Sequence, residues 1–414
     1  MGVKAGYKQT EVGEIPEDWE VKKIGEICGF IVPGRNKPKT FSGNIPWITT
    51  PDLVEGRLIS ASRKDLFVTK TEADSIGSKI IPPGSILLSC AGELGIVALT
   101  GNAMVINQQL HAFLPPENAS ATFLLNELWF QRDQIYGLAT KTAVPYLNKT
   151  NCNSIKIPLP PTLTEQEAIA AALSDADALI EALEQVIAKK RIVKQGAIQE
   201  LLTGKRRLPG FSGEWETKQL GEIGEISSAG VDKKIRPDEV PIRLVNYLDV
   251  YRKDFIYSKD LNHWVTARPQ QAIRCTVQKG DVFFTPTSET RDDIGISSVA
   301  MEDIPDAAYS YHVTRLRLHE PWDLCFRTYA FKTRAFLNQA ETLCDGNGTR
   351  YVISQGKFRS MTVQVPPLPE QSAIASILSD MDAEIAALEG KLAKARRVKE
   401  GMMRELLTGR IRLV

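Results

Sequence analysis

Histidine and paired cysteine are what this 414-residue chain has least of. Its six cysteines, Cys28, Cys90, Cys152, Cys275, Cys325 and Cys344, form no C-x-x-C pair, and its four histidines stand apart from them. That spacing gives no zinc site, so no metal is expected. The thiols read as buried, reduced side chains of a cytoplasmic protein. No apolar run reaches the roughly 20 residues that span a bilayer. The opening residues lack the apolar core of a signal peptide, and Gly6 stands where a myristoylation pattern needs Ser or Thr. No membrane partner is expected. Excess charge is missing too: 51 basic against 50 acidic residues give a net +1. Bulk charge therefore gives no sign of nucleic-acid binding, and a DNA partner needs positive charge sorted onto one face.

Catalytic motifs are also missing. No G-x-x-x-x-G-K-[ST] loop is present, and no G-x-G-x-x-G follows a strand pattern. The four Pro-Pro pairs are followed by Gly84, Glu117, Thr162 and Leu368. None completes the Asp/Asn-Pro-Pro-aromatic loop with which an adenine methyltransferase would hold a flipped base. Glu20-Val-Lys22 and Glu216-Thr-Lys218 carry the E-x-K end of a metal-dependent nuclease site but lack a partner acid at strand spacing. They read as structural strands beside Trp19 and Trp215.

What is present is a repeat. Residues 165–208 and 370–413, 205 positions apart, are identical at 27 of 44 aligned positions. A period near half the chain is no solenoid; it means two large units, each ending in the same helix. Prolines precede both copies and none lies inside. Thr164 and Glu167 can form a capping box, Pro369 suits a first helical turn, and Gly204 and Gly409 suit C-terminal caps. Apolar residues recur at steps of four and three: Ile169, Leu173, Ala176, Ile180, Leu183 and Ile187, then Ile374, Leu378, Met381, Ile385, Leu388 and Leu392. That is a coiled-coil seam, on helices roughly 60 Å long.

Charge is polarised along each copy, acidic in the first half and basic in the second. Antiparallel pairing sets each acidic half beside the other's basic half, whereas parallel pairing would stack like charges. Gly196 and Gly401, deep in each helix, each cost roughly 1 kcal/mol relative to Ala. A close backbone approach or a bend would explain them; an unpacked solvent-facing position is the alternative.

The rest of each half is echoed more faintly. Trp19 to Ile27 matches Trp215 to Ile223, and Pro83-Gly84-Ser-Ile-Leu-Leu-Ser89 matches Lys279-Gly280-Asp-Val-Phe-Phe-Thr285, both 196 apart. Gly95-Ile96 and Gly295-Ile296 follow. Between these anchors the halves diverge into short β-branched and aromatic runs broken by Gly, Pro and Asn, which predicts strand-rich mixed domains.

The divergent stretches hold the recognition-type side chains. In the first half these are Arg35, Asn36, Lys37 and Lys39, then Asn107 and Gln108, whose amides suit bidentate contact with adenine. Lys141, Thr142, Tyr146, Asn148 and Lys149 form a polar, basic turn before the helix. In the second half the candidates are Lys233, Lys234 and Arg236, then Thr285, Thr287, Ser288 and Arg291. Arg350 and Tyr351 hold the place of the 141–149 turn.

The whole chain resembles the specificity subunit of type I restriction-modification systems. The resemblance rests on I-P-L-P-P-x-x-x-E-Q-x-A-I-A (157–170), V-P-P-L-P-E-Q-x-A-I-A (365–375) and L-L-T-G-K-R-R-L-P-G-F (201–211). The W-E-x-K-x-[IL]-G-E-I openings, Ile45-Pro-Trp-Ile48 and Asn107-Gln108 add to it. It implies an α/β (α+β) fold with two globular target recognition domains, 1–158 and 208–364. They would be separated by two long antiparallel coiled-coil helices, in segments 159–207 and 365–414, with an internal pseudo-twofold repeat.

The resemblance further implies a non-catalytic subunit whose two domains each read half of a bipartite, asymmetric site in double-stranded DNA. The helices would set the spacer, and Ile169, Leu173, Ile180, Leu183, Ile374, Leu378, Ile385 and Leu388 would serve both to pair them and to dock two methyltransferase subunits. No cofactor is expected in this chain. The methyltransferase subunits would use S-adenosylmethionine to methylate adenine at N6, and restriction subunits would use ATP with Mg. The rival reading is a coiled-coil scaffold that binds other proteins rather than DNA; an enzyme with fused chemistry is disfavoured by the missing motifs.

Overall fold

The structure, a computed structural model, describes residues 4–34 and 36–414. It forms two compact units: unit 1 is residues 1–184 with 390–414, and unit 2 is 185–389. Both long helices are divided between the units.

At the centre of unit 1 is the strand Ile86–Ser89. It lies third in a five-stranded sheet of order Phe30–Ile31, Leu110–Phe113, Ile86–Ser89, Val97–Thr100, Leu58–Ile59. Pairing is antiparallel except at the last edge. The central strand is apolar along most of its length because both of its faces are covered. Ile86 and Leu88 join Trp19, Phe113 and Phe123 in one core, while Leu87 joins Ile48, Ala98 and Leu110 in another. Unit 2 repeats the order with Gly224–Ser227, Thr314–Leu318, Val282–Phe284, Ser297–Ala300 and Phe255–Ile256. There Val282 and Phe284 face one core and Phe283 the other. Gly84 and Gly280 open these strands with φ of +79° and +85°, a left-handed turn that accounts for the echoed glycine.

The W-E-x-K openings form two-stranded ribbons. Glu20–Lys23 pairs with Lys156–Leu159, and Glu216–Gln219 with Thr362–Val365. Their acid and base alternate on the ribbon surface as ion pairs, Lys22 to Glu20 at 2.8 Å and Lys218 to Glu216 at 3.0 Å.

The repeated segments are helices Leu163–Leu201 and Leu368–Leu406. Each is shorter at its C-terminus than the repeat, because Gly204 and Gly409 turn the chain at φ +67°. A Cβ at position 409 would come within 2.5 Å of Pro16 and 3.2 Å of the Trp19 ring. The N-terminal cap is not Thr164, which is already helical. Thr162 serves instead, its hydroxyl accepting from the Glu165 amide at 3.2 Å.

The repeated Glu-Gln pair at each helix start has a tertiary job. Glu165 is buried, and its carboxylate takes the Arg412 guanidinium in a fork through Nε and through Nη2 at 2.8 Å. In unit 2 the buried Glu370 takes Arg207 at 2.6 and 2.7 Å and also accepts from the Trp215 indole at 2.9 Å. Arg412 spends its spare hydrogen bonds on Asp18, at 3.0 Å. The glutamines act as joiners. Gln166 donates to the Pro160 carbonyl at 3.1 Å and accepts from the Ser120 amide at 2.9 Å. Gln371 treats Pro366 and Asp323 in the same way, at 2.9 and 3.0 Å.

Along the helices, opposite charges meet in an antiparallel sense within each unit. Unit 1 pairs Asp177 with Lys399 at 2.6 Å and Glu184 with Arg396 at 2.8 Å. Unit 2 pairs the equivalents, Asp382 with Lys194 and Glu389 with Arg191 at 2.6 Å. Each lysine is also pressed over an aromatic ring of its own unit, Trp129 or Tyr329.

Two expectations are revised. Gly196 and Gly401 have open space where a Cβ would sit, so they mark exposed positions and not a close approach. Of the apolar seam residues, Ile169, Leu173, Ile374 and Leu378 are buried in the cores of their own units, Ile180 and Ile385 are buried as well, and Leu183 and Leu388 are half-buried. The six buried side chains are used in internal packing and leave no surface for a separate subunit.

Arg412→Ala strands the buried Glu165 carboxylate. It is expected to destabilise unit 1 by on the order of 3 kcal/mol, with Arg412→Lys recovering only part because lysine lacks the planar fork. An unchanged urea transition would overturn this. A second test concerns Glu127 on the helix Ala121–Phe130, fully buried with neither carboxylate oxygen hydrogen-bonded. Burial pushes its acid well above the carboxylate range, against a smaller opposing pull from Gln131. The folded state keeps a proton that the unfolded chain releases near pH ~4. Stability therefore falls above that pH, by up to about 1.4 kcal/mol per pH unit, until the folded acid ionises. Glu127→Gln is expected to gain steadily on the parent as the pH rises above about 5; parallel melting curves would count against a protonated Glu127.

Candidate nucleic-acid interface

In both units the loops at one end of the five-stranded sheet are tied together by equivalent backbone bonds. The loop after the central strand is shaped by a hydroxyl: Ser89 Oγ accepts from the Ile96 amide at 2.8 Å, and Thr285 Oγ1 from Ile296 at 3.0 Å. Gly95 and Gly295 hold φ of +78° and +79° there, which is why the Gly-Ile pair recurs. Thr285 is fully buried and builds this loop, so its placement as an outward-facing contact is corrected. A second turn follows a separate parallel pairing, of Val105–Ile106 with Ile45–Ile48 in unit 1 and of Ile304–Tyr309 with Val240–Val245 in unit 2. The Asn107 amide donates to Ile48 and the Ser310 amide to Val245, both at 2.9 Å. The segment preceding each long helix lies against the first loop, Leu147 donating to Cys90 at 2.8 Å and Ile353 to Pro286 at 2.9 Å.

In unit 1 this brings Asn36, Lys37, Asn107 and Gln108 around a cavity of about 140 Å³ that Trp47 and Gln109 also line. Gln108 is exposed, whereas Asn107 is engaged with Gln109 at 3.1 Å through both its amide oxygen and its nitrogen. Tyr146 bridges to Ala91 beside the same turn and is half-exposed. Lys141 is exposed, and the Thr142 hydroxyl donates to the Val144 carbonyl at 2.8 Å. Asn148 caps the helix Lys149–Asn153 by accepting from Asn151 at 2.8 Å, a structural duty that the sequence reading did not give it. Lys149 lies 4.8 Å over the Phe30 ring. Lys39 sits apart, its backbone amide on Glu72. Arg35 lies outside the described residues.

In unit 2, the strands Thr287–Ser288 and Arg350–Val352 pair directly, Ser288 opposite Tyr351. Arg291 stands 5.3 Å over the Tyr351 ring. Lys233 and Lys234 are exposed. Arg236 is not a free cation: it pairs with Asp232 at 2.9 Å and Glu239 at 3.1 Å. Thr287, Ser288, Glu289 and Arg350 line a cavity of about 530 Å³ together with side chains that the sequence reading missed: Tyr247, Tyr251, Asp293 and His312. The two tyrosines stack at 5.8 Å and 15°, and the Tyr251 hydroxyl donates to Asp293 at 2.7 Å. That bond raises the Tyr251 phenol, and burial raises Tyr247. Burial, then Lys233 and Arg350, push the His312 imidazole below its ordinary value, so it is neutral at pH 7. The i, i+4 spacing of Tyr247 and Tyr251 was a readable sign of a shared helix face.

Both sites offer hydrogen-bonding side chains and aromatic rings with cations at the rim. Among the described residues no group of three or more His, Cys, Asp or Glu could hold a metal ion, and no helix is long and apolar enough to cross a membrane.

Known proteins match the chain in two successive stretches. The sequence profile of the type I restriction modification DNA specificity domain matches residues 16–189 and again 212–397. The MjaIX specificity subunit of Methanocaldococcus jannaschii is 28% identical over 242 residues, which cover 54% of this chain and 55% of that one. This match thus spans about half the length of that relative. The MjaVIII specificity subunit of the same organism is 26% identical over 433 residues, 98% of this chain and 96% of that one. The crystal structure of the type I restriction-modification system S subunit from M. genitalium shares the fold, with a TM-score of 0.55 at 16% identity over 98% of both chains. With two copies of that domain filling most of its length, the chain belongs to the type I restriction-modification DNA specificity family and is a specificity subunit of such a system.

Proposed function

We propose that each unit reads one half of a bipartite, asymmetric site in double-stranded DNA and that this chain carries no catalytic step itself. The observation that carries the reading is the pairing of sameness and difference in the two units. Equivalent loops converge on the same end of equivalent sheets, yet amides and lysine fill one site while tyrosines and carboxylates fill the other. Like scaffolds with unlike side chains suit two half-sites of different sequence. The exposed cations, Lys37, Lys141, Lys233 and Arg350 among them, supply backbone contacts despite the net charge of +1.

The long helices set the gap between the half-sites and dock two methyltransferase subunits. Since most of the seam is buried, docking falls to exposed apolar residues such as Leu179, Ile192, Val193 and Val398. Those partners bring S-adenosylmethionine for adenine-N6 methylation, and restriction subunits bring ATP and Mg. The complex works in the cytoplasm.

Exchanging residues 28–156 for the matching segment of a relative is expected to change one half of the methylated motif and leave the other intact, read by sequencing methylated DNA. A motif changed in both halves would overturn independent reading. The complex with its methyltransferase is also expected to lose DNA affinity steeply with salt, since each phosphate contact adds about 0.9 to the log–log slope. A flat salt response would favour a protein scaffold instead.

A further inference from the structure

The unit 2 cavity is acidic where a DNA-binding surface would be expected to be basic. Its lining carries two carboxylates, Glu289 and Asp293, against one cation, Arg350, and Lys233 lies close enough to His312 to disfavour its charge. The corresponding cavity of unit 1 is lined by Asn36, Lys37, Trp47, Asn107, Gln108 and Gln109, without a carboxylate. At about 530 Å³ the unit 2 cavity falls in the range of roughly 300–1,000 Å³ typical of sites that enclose a small molecule.

Two carboxylates repel phosphate, so the occupant is not the DNA backbone. An ionised carboxylate only accepts hydrogen bonds, so it selects a donor. Among the base edges of the major groove, the donors are the exocyclic amino groups of adenine and cytosine. Asp293 is already oriented by the Tyr251 hydroxyl at 2.7 Å. A carboxylate has about four lone-pair sites, so that bond leaves it able to accept more. The stacked Tyr247 and Tyr251 rings line the cavity beside it, and an aromatic ring is the kind of surface on which a base lies. Thr287, Ser288 and His312 add side chains that can donate or accept.

We propose that this cavity is the base-reading site of unit 2, in which Asp293 and Glu289 select an amino-bearing base, adenine or cytosine, against the tyrosine rings. Arg350 and Lys233 hold the flanking phosphates. The proposal rests on the reading of unit 2 as a DNA half-site reader.

The test is the methylated motif produced by the full chain with its methyltransferase partner, compared between the parent and Asp293→Asn, Glu289→Gln and Tyr251→Phe. An amide presents donor and acceptor together, so Asp293→Asn is expected to relax discrimination at one position of the unit 2 half-site by about tenfold or more. Glu289→Gln is expected to act at the same or an adjacent position, and being exposed it carries the test if Asp293→Asn disturbs the loop. Tyr251→Phe keeps the ring, frees Asp293 and should weaken the same discrimination by a smaller factor. The unit 1 half-site is expected to stay unchanged throughout, which also reports that the complex assembles. If the motif remains bipartite and all three variants leave every position of the unit 2 half-site unaltered, the proposal fails while half-site reading stands. If the parent complex shows no sequence-specific methylation, half-site reading itself fails.

Discussion

A buried carboxylate at the start of each long helix is the constraint on which the rest of the structure depends. Glu165 and Glu370 sit in the first helical turn, out of water, where an unpaired charge would cost several kcal/mol. Each is made tolerable by an arginine from just beyond the end of the other long helix. The pair therefore does more than bind two side chains. It specifies that a helix start meets a helix end, which is antiparallel packing stated in one contact. The exposed ion pairs along the helices agree in direction but are each worth at most about 1 kcal/mol. Apolar burial supplies most of the stability; the clasps and ion pairs supply the register.

The same economy applies to the globular parts. Backbone bonds and two left-handed glycines per unit fix where the loops go, and a buried hydroxyl, Ser89 or Thr285, closes each first loop. None of these contacts involves an outward-facing side chain. The surface residues can then change without disturbing the frame, as they have between an amide-lined and a carboxylate-lined cavity. Divergence between the halves thus concentrates where it costs the fold least.

What could be read from the sequence follows from how local each feature is. The helices, their opposed charges and the strand echo at 83–89 and 279–285 are periodic and short-range, so they were legible. The helix cap was misplaced because Thr162 and Thr164 both precede acids, and only the tertiary use of Glu165 by Arg412 separates them. Arg236 looked like a free cation although Asp232 and Glu239 stand four and three residues away, a neutralising pattern that was present in the sequence. Thr285 looked like a loop donor because burial of a single hydroxyl leaves no periodic trace. The tyrosine and carboxylate cavity draws on four separate stretches of chain, 247–251, 287–293, 312 and 349–350. No local pattern announces such a meeting.

The discontinuity of unit 1 has a consequence for biosynthesis. Unit 2 is one uninterrupted stretch, but unit 1 takes in residues 390–414, which are made only after all of unit 2 has been translated. Met403, Leu406 and Leu407 belong to the first core, and Arg412 neutralises Glu165. Nascent domains ordinarily fold in the order they emerge. Here the half that emerges first lacks part of its core and its counter-charge until the other half exists, so the order of completion reverses the order of synthesis. A ribosome stalled after residue 389 would leave the earlier unit as the damaged one.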